Sequence, residues 1–565
     1  MRIGWLGLVA VAVLAASCGE DSPLPPDPPK FRVGGTITGL AGSLTLQLNG
    51  AENLTRGDNG AFTFQTELAD QSPFTVAVTA SPADQDCSLQ GATGQVSGAD
   101  VGSIQVTCAQ RTYSLGGTVT GLTGTLQLRL EEGETLSVTA NGPYTFQTRL
   151  PKGGTYSVSI ATQPRGHQCT LTLGSGTVTG NVTGITAQCT PWFSFAAFPA
   201  ATVVLGQSDF TSSARNQGEF TPSATTLDGP GGNPVFQGGK LYIPDLGSNR
   251  ILGFDGLPSQ NGASASFVLG QPDLTSATAT TERGGFSGPD GLFSDGTRMA
   301  AADQSNHRIL LYNALPTGTT SLPDLIVGQE GFDTAISQCS ASGLNAPRAV
   351  SFTQGKLVVA DTFNHRVLIW STLPTTNGAP ANLVLGQTSF TSCAGNDANG
   401  DGTVDSAPTA STLFFPAGVW TDGTRLLVSD SSNNRVLLWN QFPTSNGQPA
   451  DVVLGQSDFT SRTAAISQAR LSSPSGVTST GQQLFVADIE NSRVLVWNEL
   501  PTANGQAANL VLGQPDFTSR NRGDPTPGTR PSARSLYQPS GVLLTAPFLV
   551  VTDSGNNRVL VFESQ

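Results

Sequence analysis

The chain has 565 residues, more than one ordinary core holds, so two to four domains are expected. Glycine (66) and proline (36) are abundant, 12% of residues are charged, and no apolar stripe of helical period follows the first twenty residues, which excludes a helical protein and points to an all-β chain. A formal charge of −13 with dispersed acids argues against a nucleic-acid partner, which needs clustered Lys and Arg.

Residues 1–17 run from a short basic start, Met1-Arg2, through an apolar stretch, Leu6 to Leu14, to the small residues Ala15-Ala16-Ser17 before Cys18. The pattern resembles a bacterial lipoprotein signal, which implies that Cys18 becomes the lipidated first residue of the mature protein. Ala15 departs from the usual Leu of that motif, and an ordinary secretory signal cut nearby is the alternative. Residues 18–30 form a Pro-rich tether, as a stalk lifting domains off a membrane requires. The expected address is export with lipid anchoring to the bacterial cell envelope, at the outer membrane or cell surface. Acyl chains would be the only membrane contact, since no later apolar run spans a bilayer.

Residues 31–109 and 111–190 are copies of one module. Gly34-Gly35-Thr36-Ile37-Thr38-Gly39-Leu40 returns as Gly116-Gly117-Thr118-Val119-Thr120-Gly121-Leu122, and Phe62-Thr63-Phe64-Gln65-Thr66 as Tyr144-Thr145-Phe146-Gln147-Thr148. Alternating runs such as Leu44-Thr45-Leu46-Gln47-Leu48 are half-buried strands, and about seven of them with one bridge suggest a small Ig-like sandwich. The copies resemble Gly-Gly-x-Val-x-Gly-Leu repeats of bacterial surface proteins, which implies a spacer role. With Cys18 lipidated, six cysteines remain. Cys87 and Cys108 match Cys169 and Cys189 in the two copies and are expected to pair within each, leaving Cys339 and Cys393 for a third bridge.

Residues 192–565 repeat six times. The anchors are a Val-Leu-Gly-Gln segment (Gln207, Gln271, Gln329, Gln387, Gln456, Gln514), a Pro-x-Gly-Val segment (Pro230, Pro289, Pro347, Pro416, Pro474, Pro539), and an Asp five residues before an Arg. The last pairs are Asp245/Arg250, Asp303/Arg308, Asp361/Arg366, Asp430/Arg435, Asp488/Arg493 and Asp553/Arg558. Four strand candidates per unit, a to d, make a propeller blade. The region opens with a lone d strand, Val203-Val204-Leu205-Gly206, and stops after a c strand, Arg558 to Phe562, so the first strand is expected to complete the last blade. The fold class is therefore all-β: a six-bladed β-propeller after two tandem small β-sandwiches. Pro474-Ser475-Gly476-Val477, Leu484 to Asp488 and Ser554-Gly555-Asn556-Asn557-Arg558-Val559-Leu560 resemble NHL repeats, with longer units. That resemblance implies the fold and leaves protein binding, RNA binding and catalysis all open.

Length variation concentrates between each Gln and the next Pro, with separations of 23, 18, 18, 29, 18 and 25. These d-to-a connections share a face with the b-to-c hairpins, and variable loops on a rigid scaffold are the expected place for recognition. Cys339 and Cys393 belong to that face. The longest loop holds Asp397, Asn399, Asp401, Thr403 and Asp405 around Gly402, the first half of an oxygen-ligand calcium loop, although Pro408 stands where a bidentate acid belongs. The reading is a structural calcium ion; a plain Asx-rich turn is the alternative. The Asp/Arg pairs and the aromatic four residues after each Arg are expected to be structural. The six glutamines either pin backbone or line a polar channel, with pinning favoured. Enzymatic six-bladed propellers such as lactonases and amidating lyases hold a metal at the axis. The a strands here offer only Asp290, and His307 and His365 occupy equivalent hairpin positions as repeat residues. No catalytic residues stand out. The function expected is a cell-envelope lipoprotein that displays its propeller to bind an envelope or extracellular protein or a glycan. A metal-dependent hydrolase or lyase is the alternative, and a purely structural envelope component a third possibility.

Overall fold

Period-two alternation does what it predicts in the first module, where Leu44, Leu46 and Leu48 are buried while the residues between them stay partly exposed. The computed structural model describes residues 27–131, 133–523 and 530–565; Cys18, the signal segment and the first part of the tether lie outside the described residues. The module has eight strands: β1 (Lys30–Thr38), β2 (Leu44–Leu48), β3 (Glu52–Arg56), β4 (Gly60–Ala69), β5 (Pro73–Ala80), β6 (Gln85–Gln90), β7 (Thr93–Gln95) and β8 (Val101–Gln110). They form two four-stranded sheets in the orders β4-β1-β8-β6 and β3-β2-β5-β7, with β1 parallel to β8. The strand beyond the seven expected is β7, three exposed residues with no apolar pattern to betray it. The repeated Gly-Gly has a steric cause: a Cβ on Gly35 would lie 1.9 Å from the carbonyl oxygen of Ile104 on β8, and on Gly117 of the second copy 1.6 Å from that of Ile185. Cys87 faces Cys108 across β6 and β8, and Cys169 faces Cys189 in the second copy; both pairs are disulfides.

The second copy forms two four-stranded sheets in the same order, and the other six sheets are four-stranded antiparallel blades, each ordered a-b-c-d. In blade 4 these strands are Pro416–Thr421, Leu426–Asp430, Arg435–Trp439 and Val452–Leu454. Strands b and c are continuous apolar runs because both of their faces pack on neighbouring blades; Val358 and Ile369 of blade 3 share one core with Val428 and Leu437 of blade 4. Blade 6 takes strand d from the other end of the repeat region, Val203–Leu205 pairing with Val559 to Val561. The ring is closed by this strand, and the final c strand is not left as an unpaired edge at the seam.

A second element seals the seam. At the junctions from blade 1/2 to blade 4/5, an apolar residue of a c-to-d segment (Leu315, Leu373, Phe442, Leu500) packs beside the core. Blade 6 has no c-to-d segment, and at the 5/6 junction Phe193 and Phe195 of the linker join the core instead. Gln483 clamps Phe193 through both its backbone N–H (2.6 Å) and its carbonyl (2.9 Å).

Two strand boundaries differ from expectation. Strand a of blade 1 is Val235–Gln237, with Pro230 only bridging Asp245, because Gly231-Gly232-Asn233-Pro234 inserts one extra residue that turns the chain across the axis. Strand a of blade 3 is Ala349–Thr353, since Arg348 departs from the ladder to pair with blade 2.

Candidate functional site

The six Asp–Arg pairs are the frame of one face. Each is fully buried, with the Arg Nε 2.6–2.8 Å from the Asp carboxylate. In blade 4 the other oxygen of Asp430 accepts the backbone N–H of Phe414, and the Asn433 amide donates to the carboxylate. Arg435 then donates to the carbonyls of Thr409 and Thr412 in the loop entering its blade and of Phe459 in the loop leaving it. Every guanidinium thus ties two d-to-a loops to one b-to-c hairpin; Arg558 closes the circle on Phe210 beside the first strand. Burial pushes the Asp245 and Asp303 carboxyls up to about 6 despite the Arg beside each.

The glutamines pin backbone. Each side-chain amide donates to the carbonyl of the left-handed hairpin residue and to a carbonyl seven residues on, as Gln387 does to His365 and Ala394. The hairpin residues (Asn249, His307, His365, Asn434, Ser492, Asn557) all have φ of 51–53° or 54°. Five of them accept an N–H from the next blade: Asn434 from Ser473 at 2.9 Å, and His365 through Nδ1 from Phe415 at 3.2 Å. The histidines therefore do an asparagine's work in neutral form, and burial lowers His365 to about 4. A further repeated device was missed by sequence reasoning. An Asp-Phe-Thr-Ser turn, or Asp-Leu-Thr-Ser in one blade, follows four of the six glutamines, and in it Asp209, for example, accepts the N–H and hydroxyl groups of Thr211 and Ser212, which hold its carboxyl down at about 2. Its signal, a fourfold recurrence, was in the sequence.

The axis is shut. A Cβ on Gly418 would lie 2.1 Å from the carbonyl oxygen of Ser475, and on Gly541 1.8 Å from that of Gly232, so the Gly of Pro-x-Gly-Val is where the a strands converge. Asn233 spans the axis, accepting from the N–H of Val542 and donating to the carbonyl of Val477. At the level of these glycines the space left is about 10 Å³, room for one water at most, and beyond Asn233 the a strands of five blades line an axial pocket of about 90 Å³ that holds no acid or histidine. Asp290, the one axial acid, accepts from Arg348 Nε (2.7 Å) and from the N–H of Gly232 (2.6 Å), so its charge is already matched.

The variable face is built differently. The Cys339–Cys393 disulfide, Cα–Cα 6.4 Å, joins the loops entering blades 3 and 4. Of five exposed large apolar side chains among the propeller's described residues, Phe220, Ile336, Phe363 and Val404 lie on this face; Leu322 alone is elsewhere. Phe363 packs edge-on to Phe415 (5.2 Å), and Phe415 contacts His365 (4.3 Å) and Phe414 (5.0 Å). This cluster joins a blade 3 hairpin to the blade 4 loop fifty positions on, a proximity that only the ring creates.

Asp397, Asn399, Asp401, Thr403 and Asp405 share one loop, but their oxygens face the loop itself. Buried Asp397 accepts from the N–H groups of Gly400, Asp401 and Gly402; Asp401 accepts from Thr403, and Asp405 from Ala398. Among the described residues no three acids, histidines or cysteines gather round one point. As folded, the set is therefore a self-satisfied turn and does not present a ready-made ion cage.

No family model and no curated protein matches this chain. Among solved structures, it is similar to the computationally designed Ika8 protein (9% identity, covering 64% of this chain and 99% of that one, TM-score 0.31). It is similar also to virginiamycin B lyase from Staphylococcus aureus (10%, 61% and 98%, 0.30) and to a chain of a nidogen/laminin complex (17%, 51% and 84%, 0.27). The propeller assignment rests on the strand pairing above.

Proposed function

We propose that the protein is a non-enzymatic envelope lipoprotein whose propeller binds a protein or glycan through the face carrying its d-to-a loops and b-to-c hairpins. The observation that carries this reading is the gathering of exposed apolar side chains on that face, which are costly to leave in water and mark interaction sites. An axial metal centre of the hydrolase or lyase type would need free acids or histidines at the axis; here Asp290 is paired with Arg348, and the axial pocket of about 90 Å³ is lined without an acid or histidine. In this reading Cys18 carries the lipid, and the two Ig-like modules act as spacers. The three disulfides fit an oxidising compartment, and no described helix is long and apolar enough to cross a membrane. The test is capture of a partner from envelope extract by the full chain. Shortening 391–412 should abolish capture; undiminished capture by that folded variant contradicts the assignment.

Calcium in the 397–405 loop is a proposal of its own. Its three carboxylates have no Lys or Arg partner among the described residues, which favours a cation that would draw them off the loop amides. Calorimetric titration of the full chain to millimolar calcium tests it; absence of uptake removes it.

A further inference from the structure

The recognition face is electrically divided. The loops entering blades 3 and 4, residues 329–346 and 387–415, contain Glu330, Asp333, Asp397, Asp401 and Asp405 and no Lys or Arg. The loops entering blades 5 and 6, residues 456–473 and 514–538, contain six arginines (Arg462, Arg470, Arg520, Arg522, Arg530, Arg534) against three aspartates. None of the five acids on the first side makes a salt bridge among the described residues.

The acids and the aromatic cluster are physically continuous. The N–H of Asp405 donates to the carbonyl of Gly395, and Gly395 lies so close to the Phe414 ring that a Cβ there would sit 2.2 Å from it. On the other side, Asn364, beside Phe363, donates to the carbonyl of Gln338 in the loop that carries Asp333 and Ile336. Phe415 is also held at φ +52°, a left-handed conformation costly for a bulky side chain, where the other blades place Gly, Gly, Ala, Ser and Gln. Its ring is kept at the surface at the expense of backbone strain.

We infer that the blade 3–4 half of this face, centred on Phe363 and Phe415, docks a cationic amphipathic segment of a partner protein: Lys or Arg over the phenyl rings and beside the carboxylates, aliphatic side chains against Ile336 and Val404. Cations are drawn both to aromatic faces and to unmatched carboxylates, and a like-charged segment is repelled by both. The inference rests on the proposed binding role of this face and names its chemistry.

The test is fluorescence anisotropy of the full chain in EDTA with a labelled decapeptide alternating Lys and Leu, and with a Glu–Leu peptide as control. The Lys–Leu peptide should bind and weaken with salt, while the Glu–Leu peptide should not bind. F363A with F415S, the latter taking the residue of blade 5, should weaken binding about ten-fold, or roughly 1.4 kcal/mol. E330Q, D333N and D401N together should do likewise at low salt. Neutralising three exposed acids off the propeller (D27N, D58N, E131Q) should change nothing, which separates this surface from the general acidity of the chain. Melting curves confirm that each variant folds. Equal binding of both peptides, or binding indifferent to the phenylalanine and acid substitutions, overturns the inference. So does a neutral glycan whose binding is lost in F363A/F415S while the peptide stays silent. If the peptide fails but envelope capture through 391–412 holds, the chemistry is wrong and the face assignment survives.

Discussion

Two charge systems lie on the same face of the ring and are built to opposite rules. Beneath the surface, six Asp–Arg pairs are fully buried, and in each the remaining donors and acceptors are taken up by loop backbone. Above them, the loops entering blades 3 and 4 carry five acids without a cation, and Phe414 and Phe415 of the second loop meet Phe363 and His365 of the blade 3 hairpin. Matched charge recurs in every blade and holds the scaffold. Of the d-to-a loops, only those entering blades 3 and 4 hold acids with no Lys or Arg beside them in the same loop.

Breaking the matched system should have the largest effect. Arg435→Met strands the Asp430 carboxylate and three loop carbonyls in the interior, and a loss of about 3–5 kcal/mol is expected in urea unfolding. A loss below about 1 kcal/mol would show that the pairs do not hold the loops.

A smaller, pH-dependent effect is expected at His365. Its folded value, about 4, lies below its ordinary 6.5, so the unfolded chain binds the proton first as pH falls. Its contribution to stability is thus present above pH 6.5 and is lost as pH drops towards 4. His365→Asn, the residue of blades 1, 4 and 6, should match the wild type near pH 7 and become the more stable of the two by pH 4.5. Parallel stability curves would contradict the accepting role of Nδ1.

The smallest effect is expected from the unmatched acids. Asp401→Asn and Glu330→Gln should each leave stability within about 0.5 kcal/mol of wild type. A large loss at either would move these acids into the scaffold and dissolve the comparison.

Most of the scaffold was legible because it is written six times. The pairing of Val203–Leu205 with the final c strand followed from where the repeat starts and stops, and recurrence in every blade marked the Asp–Arg pairs as structural. What escaped depends on single departures from the repeat. The one extra residue of Gly231–Pro234 shuts the axis, Phe193 substitutes for a missing c-to-d segment, and Arg348 leaves its ladder to neutralise Asp290. None of these has a counterpart in other blades to reveal it. The aromatic cluster escaped for a different reason: Phe363 and Phe415 are adjacent only because consecutive blades are. The calcium pattern was legible as spacing alone, and spacing does not say whether Asp397 faces an ion or its own loop amides.

The central claim is that recognition belongs to the blade 3–4 sector of the loop face and not to the axis or the opposite face. Hydrogen–deuterium exchange of the full chain, with and without the partner captured from envelope extract, tests it most directly. The account predicts added protection in 329–346, 362–365 and 391–415. Protection confined instead to the a-to-b and c-to-d connections, such as 354–356, 371–375 and 422–425, would contradict it.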